Sequence, residues 1–131
     1  MNEKIMVVDD DPGMLALLEI ILKRKGFSVV TADGAYRALR LIERERPDLF
    51  ILDVMMPGIT GLELCQQLRS RPDTAHIPIL LLSGWSDSEA AQRGLTVGAN
   101  DYLSKTSSHT HLVSRVEALL NGHRQQLRSA I

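Results

Sequence analysis

The segment Ile5-Met6-Val7-Val8-Asp9-Asp10-Asp11-Pro12 decides the fold: a continuously apolar run ends abruptly in three acids and a proline. An uninterrupted apolar run of this length is typical of a strand that is buried on both faces, as in a parallel sheet covered by helices. Asp11 followed by Pro12 predicts a helix start, because a capping carboxylate and a proline at the first helical position both favour one. The segment therefore predicts a strand, an acidic turn and a helix in immediate succession.

The same succession of a short apolar run and a longer amphipathic stretch occurs five times along the chain. The predicted strands span residues 4–9, 27–31, 48–52, 79–82 and 101–103. Helices are expected to begin at Pro12, behind a cap at Asp33, at the capping boxes Thr60–Glu63 and Ser86–Glu89, and near Ser108. This alternation predicts an α/β fold with helices on both faces of a parallel sheet. Right-handed crossovers favour the flavodoxin-like doubly wound (βα)5 arrangement, with a five-stranded sheet in the order 2-1-3-4-5.

Size and composition bound the function. With 131 residues, 44% of them apolar, the chain fits one domain, which we place at residues 1–122, and residues 123–131 are expected to extend the last helix or begin a linker. The net charge of −1 argues against direct nucleic-acid binding by this domain. No apolar stretch approaches the roughly 18 residues that a membrane helix needs, and no leader segment is seen. A single cysteine excludes an internal disulfide, so we expect a cytoplasmic protein without membrane contact.

Charged side chains fall where three of the predicted strands end. Asp9 ends strand 1 and Asp10 follows it, Asp53 follows strand 3, and Lys105 follows strand 5. Strands 1 and 3 are neighbours in the predicted order, and ligands of open parallel sheets bind at the carboxyl ends of the strands. Clustered carboxylates with one ammonium group indicate a site for a divalent metal and a phosphoryl group.

Four segments, each at a strand end and in the right order, resemble the receiver (CheY-like) domain of two-component response regulators. They are Val7-Val8-Asp9-Asp10, Asp53-Val54-Met55-Met56-Pro57 with Gly61, Pro78-Ile79 through Ser83, and Gly98-Ala99-Asn100-Asp101-Tyr102-Leu103 through Lys105. The resemblance covers roughly residues 4–121. It implies a phosphoryl-accepting signalling switch that assists its own phosphorylation and dephosphorylation but is not an enzyme acting on other substrates.

The resemblance also implies a metal and an acceptor. Asp53 would accept a phosphoryl group from a phosphohistidine. Asp10, Asp53 and the backbone carbonyl of Met55 would bind Mg²⁺, and Asp9 would act through a bound water. These oxygen ligands suit Mg²⁺, which prefers hard oxygen donors and retains several waters.

Further residues would read out the phosphorylated state. Ser83 would hydrogen-bond the phosphoryl oxygen, Lys105 would pair with it, and Tyr102 would change rotamer on activation. The implied partners are a sensor histidine kinase or a histidine phosphotransfer protein. The face formed by helix 4, strand 5 and helix 5 would contact a downstream effector domain or a second copy in a homodimer.

The chain departs from the family pattern after the lysine, where Thr106 stands in place of the usual proline, and we expect the Lys105–Thr106 peptide bond to be trans. The hydroxyl position carries Ser83 where threonine is commoner. Met55 and Trp85 occupy the positions that flank the path of the hydrolytic water in receivers. Both are bulky and apolar, so we expect them to lengthen the life of the phosphorylated state.

Other functions compete with this interpretation. In a haloacid-dehalogenase-like phosphatase, Asp9 would be the nucleophile and Asp11 the general acid, but the chain is short for that fold with its cap. A receiver-like scaffold that no longer takes phosphate would not need the intact set of acids, serine and lysine. A flavin site is disfavoured because the acids would repel a flavin phosphate.

Overall fold

The computed structural model describes residues 2–84 and 88–129, within which five strands and five helices alternate. The strands are β1 (Lys4–Val8), β2 (Ser28–Ala32), β3 (Leu49–Asp53), β4 (Ile79–Ser83) and β5 (Asp101–Ser104). The helices are α1 (Pro12–Arg24), α2 (Ala35–Glu45), α3 (Gly61–Ser70), α4 (Ser88–Val97) and α5 (His109–Ser129). Each predicted strand lies within one residue of its observed bounds, and Asp53 and Ser83 close their strands instead of following them.

All strand pairs are parallel, and the sheet order is β2-β1-β3-β4-β5. The predicted doubly wound fold is thus confirmed. β1 and β3 are direct neighbours, with Val8 opposite Leu52. The chain segments that carry Asp9 and Asp53 therefore leave the sheet side by side, which places both acids at its carboxyl edge.

The core has two layers because alternate side chains of each strand point to opposite faces. Met6, Phe50 and Leu81 pack with α2, α3 and α4 on one face. Ile51 and Leu80 pack with α1 and α5 on the other. Every residue of β3 and β4 is buried, which explains why these strands are apolar up to their last residues, Asp53 and Ser83, and do not alternate with polar residues.

Among the predicted caps that the described residues test, all but one are found at a helix start. The Asp11 side chain accepts a hydrogen bond from the Gly13 N–H, 2.9 Å, and both halves of the Thr60–Glu63 capping box are formed. The predicted cap at Asp33 is wrong. α2 begins at Ala35 behind an extended Gly34 whose position has no side-chain cap, so Asp33 lies one residue too early to cap the helix. The predicted Ser86–Glu89 box lies largely outside the described residues.

The C-terminal helix continues through Ser129, well beyond the predicted end near Asn121. The far end of this helix contacts the amino edge of the sheet. Arg124 forms an ion pair with Glu3, and the rings of His76 and His123 stack with their centroids 5.6 Å apart. Among the described helices, none is both long and apolar enough to span a membrane.

A single guanidinium group joins three segments near the end of α3. Arg69 donates to the carbonyl oxygens of Gly98, 2.8 Å, and Ile77, 2.7 Å, and to Oδ1 of Asn100, 2.8 Å. Asn100 Oδ1 also accepts from the Ile79 N–H, 2.8 Å. These bonds tie the α3–β4 loop and the α4–β5 loop to α3.

Candidate functional site

Three carboxylates converge at the carboxyl edge of the sheet. Asp9, Asp10 and Asp53 each offer an oxygen within 4.8 Å of the others. Asp9 and Asp53 are buried, with 1% and 2% of their surface exposed, whereas Asp10 is exposed. The cluster is therefore open to solvent on the Asp10 side, from which an ion or a phosphoryl group could enter.

Lys105 is the cation of this cluster. Its Nζ lies 3.1 Å from Oδ2 of Asp9 and 3.1 Å from Oδ1 of Asp53, so one ammonium bridges both buried acids. The lysine follows β5, and its position depends on the parallel β4–β5 pairing, in which its N–H donates to the Ser83 carbonyl oxygen at 2.8 Å. One lysine cannot neutralise three carboxylates, so the site retains a negative charge.

In the part of the chain that the structure describes, one buried oxygen of Asp9 lacks a directed hydrogen-bond donor, and this makes the acidic cluster suited to a metal ion. Oδ1 of Asp9 accepts from the Asp11 N–H at 2.9 Å, but within residues 2–84 and 88–129 the buried Oδ2 has no hydrogen-bond donor of good geometry. Its contact with Lys105 is an ion pair and not a well-directed hydrogen bond. A buried oxygen without a directed donor, beside two further carboxylates, is a donor set that fits a hard divalent cation.

Burial and charge repulsion make the central acid hard to ionise. Burial, and after it the nearby Asp9 carboxylate, raise the pKa of Asp53, and although Lys105 acts in the opposite direction, the net pKa is about 7. Burial by itself lowers the pKa of Lys105, but its close contacts with the Asp53 and Asp9 carboxylates outweigh that effect, so the net pKa of Lys105 is raised. Lys105 therefore stays charged at neutral pH, while Asp53 without a further cation is only partly ionised.

The loop after Asp53 is held by a close backbone contact that the sequence did not reveal. Gly61 opens α3 directly against the end of β3, with its N–H donating to the Val54 carbonyl at 2.9 Å. A methyl group at position 61 would lie 2.1 Å from the carbonyl oxygen of Asp53, so only glycine fits. The Met55 N–H points back to Oδ1 of Asp53, 3.4 Å, and the Met55 side chain is 53% exposed at the rim.

The remaining predicted residues lie on the β4–β5 side. Ser83 closes β4, is buried, and is paired in register with Ser104. Tyr102 is half-buried and packs against the core layer of α2, α3 and α4. Trp85 lies outside the described residues. The Lys105–Thr106 peptide bond is trans, as expected.

The sequence matches the response regulator receiver domain family over residues 5–117. The chain belongs to that family. The resemblance seen in the sequence is thus confirmed, and so is the general function: this receiver domain is a phosphoryl-accepting switch of two-component signalling. A phosphatase or a scaffold function is not favoured.

Curated relatives include two transcription regulators. The receiver domain is 42% identical over 120 residues to the alkaline phosphatase synthesis transcriptional regulatory protein PhoP of Bacillus subtilis, covering 92% of this chain and 49% of the relative. It is 41% identical to the phosphate regulon transcriptional regulatory protein PhoB of Rhizobium meliloti, covering 100% of this chain and 58% of the relative. The chain therefore spans about half the length of these proteins.

A solved structure shows the same fold in another setting. The signal receiver domain of a signal transduction histidine kinase from Syntrophus aciditrophicus superposes with a TM-score of 0.84 at 36% identity, covering 92% of this chain and 91% of that one. Receiver domains of this shape thus occur in histidine kinases as well as in response regulators.

Proposed function

We propose that Asp53 is the residue that accepts the phosphoryl group. The observation that carries this proposal is the placement of its carboxylate: buried, at the end of the central strand β3, within reach of two further acids and 3.1 Å from the Lys105 ammonium. A carboxylate can attack a phosphoryl group to form an acyl phosphate. Catalysis then requires alignment and neutralisation of charge on the equatorial oxygens, which these neighbours are placed to supply.

Mg²⁺ is the proposed cofactor, held by Asp10, Asp53 and the Met55 carbonyl, with Asp9 acting through a bound water. When bound, it supplies positive charge to the phosphoryl oxygens and lowers the repulsion among the acids. Support comes from the three clustered carboxylates and the buried Asp9 Oδ2. Since the pKa of Asp53 is about 7 without a metal, a second cation would also keep this nucleophile ionised at neutral pH.

Lys105 and Ser83 are the proposed partners of the transferred phosphoryl group. Lys105 would exchange one carboxylate contact for a phosphoryl oxygen, and the Ser83 hydroxyl would donate to another. Because the two residues are joined through the Lys105 N–H and the Ser83 carbonyl, 2.8 Å, a shift at one would reach the other. Tyr102, two residues after Asn100 and packed under α4, would carry that shift to the face of α4, β5 and α5 by changing rotamer.

The proposed phosphodonor is a sensor histidine kinase or a histidine phosphotransfer protein in the cytoplasm. The α4–β5–α5 face would then contact an effector domain or a second copy of the chain. The names of the two curated relatives favour an effector that regulates transcription, with DNA bound outside this domain. In this proposal residues 1–122 form the receiver, the last helix continues beyond them through Ser129, and the domain's only chemistry is on its own Asp53.

Labelling with a small phosphodonor tests the proposal. Acetyl phosphate with Mg²⁺ should add one phosphoryl group to the wild type, detected by intact mass, and Asp53→Asn should remove it. Asp33→Asn is the matched control, because Asp33 is an exposed acid that follows β2 at the same edge of the sheet. Persistent labelling of Asp53→Asn would contradict the proposal and make Asp9 the first suspect.

A further inference from the structure

We propose that Ser104 and Thr106 form a hydroxyl-braced turn that positions Lys105 for phosphoryl transfer. Neither residue touches the acids, so they would be positioning residues that act through the lysine between them. The inference rests on the role proposed above for Lys105 and extends it to the residues that aim its side chain.

The turn is closed by its own backbone. The Ser104 carbonyl oxygen accepts from the Ser107 N–H at 3.0 Å, which makes residues 104–107 a β-turn with Lys105 and Thr106 at its two central positions. The chain reverses at this point between the end of β5 and the start of α5. The turn thus sets the direction of the backbone that leaves Lys105 toward α5.

Two hydroxyl groups brace the turn from inside. The Thr106 N–H donates to Oγ of Ser104 at 3.1 Å, the side-chain turn that serine forms with the residue two positions on. Oγ of Ser104 and Oγ1 of Thr106 also lie 2.7 Å apart and share a hydrogen bond. A proline at position 106 would have no N–H to donate, so this bracing depends on the residue that is present here.

The braced turn is anchored to the site on its other side. Ser104 lies opposite Ser83 in the β4–β5 register, and the Lys105 N–H donates to the Ser83 carbonyl oxygen at 2.8 Å. The backbone on both sides of Lys105 is therefore restrained. A lysine ammonium sits on a flexible four-carbon stem, so its ability to stay 3.1 Å from two buried oxygens depends on where that stem begins.

The hydroxyl bonds lie at the exposed rim of the fold, and their loss should affect the position of the lysine more than the stability of the domain. Loosening the turn would let the ammonium sample orientations away from the acids and from an incoming phosphoryl group. Misorientation of a charge-stabilising group slows transfer without changing the chemistry.

The test compares initial rates of labelling by acetyl phosphate, with Mg²⁺ present, in variants of known melting temperature. Ser104→Ala removes both hydroxyl bonds and should slow labelling about two- to tenfold, the range spanned by net hydrogen-bond free energies. Thr106→Val keeps the branched shape but loses the hydroxyl, so its effect should be smaller. Thr106→Ser keeps the hydroxyl group and should label at the wild-type rate. Ser107→Ala is the matched control, because Ser107 enters the turn through its backbone N–H.

A second comparison shows whether the effect passes through the lysine. In a Lys105→Met background the ammonium is gone, and Ser104→Ala should cause no further slowing. Equal slowing in both backgrounds, or a wild-type rate in Ser104→Ala, would overturn the inference while leaving the role of Asp53 intact. A wild type that takes no phosphoryl group would overturn the proposed function and the inference together.

Discussion

Asp53→Asn should make the metal-free domain more stable at alkaline pH, although it removes one partner of Lys105. In the wild type, burial and the Asp9 carboxylate raise the pKa of Asp53 from 3.8 to about 7. The folded state therefore holds a proton that the unfolded chain releases. Such a group destabilises the fold as the pH rises from about 4 to about 7, and the full penalty remains above that range. Asparagine has no charge to bury, and its amide can donate to Asp9.

The size of the effect follows from the pKa shift. About three pKa units correspond to roughly 4 kcal/mol. The site is open on the side of the exposed Asp10, and solvent screening there should reduce the effect to about 2 kcal/mol. For a domain of this size, about 2 kcal/mol corresponds to a rise in Tm of several degrees.

Urea unfolding in the presence of a chelator measures the free energy of unfolding directly. We expect the stability advantage of Asp53→Asn to be largest near pH 8 and to decrease as the pH falls toward 4. Asp33→Asn, which changes an exposed acid, should follow the wild type throughout. Millimolar Mg²⁺ should narrow the gap at pH 8, since the wild type offers the ion one more carboxylate.

A metal-free Asp53→Asn variant that is less stable than the wild type at pH 8 would refute the argument that Asp53 destabilises the fold when it ionises. If Asp53→Asn unfolds at lower urea than the wild type without metal, the attraction of Lys105 outweighs burial and repulsion, and Asp53 is fully ionised in the folded state. An advantage that does not change with pH would likewise exclude ionisation of this carboxyl as its cause.

Three further outcomes are expected. Mg²⁺ at ten times its Kd should stabilise the wild type by about 1.4 kcal/mol in thermal melts, and Asp10→Ala should abolish this stabilisation. A wild-type melting temperature that does not change with Mg²⁺ would count against the metal site. Gly61→Ala should lower the free energy of unfolding by about 1–3 kcal/mol in urea titrations, because the added methyl group meets the Asp53 carbonyl. Gly122→Ala is the control: its methyl group lies in open space on α5, and it should raise the free energy of unfolding slightly. The double variant Met55→Asn with Trp85→Glu should lose its phosphoryl group on the order of ten times faster than the wild type, a barrier change of about 1.4 kcal/mol measured by the decay of labelled protein; equal decay rates would leave these side chains without a role in timing.

The sequence predicted the elements whose signals are local. The position of the acids directly after β1, the Asp11 cap and the Thr60–Glu63 box each depend on residues within a few positions of one another, and all three were confirmed. The strand order also followed from the sequence, because alternating strands and helices leave few allowed topologies.

What the sequence did not predict depends on contacts between distant segments. The steric need for Gly61 arises because α3 begins against the Asp53 carbonyl, which no local pattern records. The cap at Asp33 was placed wrongly because α2 starts one residue later than predicted. A shift of one residue decides which side chain can reach the free N–H groups of the first helical turn. The tail was left open between helix and linker, since its helix is held by contacts such as Arg124 with Glu3, 121 positions away.

The guanidinium of Arg69 has a mechanical consequence for α4. Its bonds hold the Gly98 carbonyl and the Asn100 side chain just beyond the last turn of this helix. Oδ1 of Asn100 also accepts from the Ile79 N–H at the start of β4. Gly98 has a positive φ of 126° and follows Val97 directly, so these bonds hold the residue that comes immediately after the helix. The other end of α4, at Ser88, comes five positions after Ser83 in the sequence. We therefore expect the C-terminal end of α4 to stay in place if the helix rearranges, and amide hydrogen exchange along the helix should be slowest at that end.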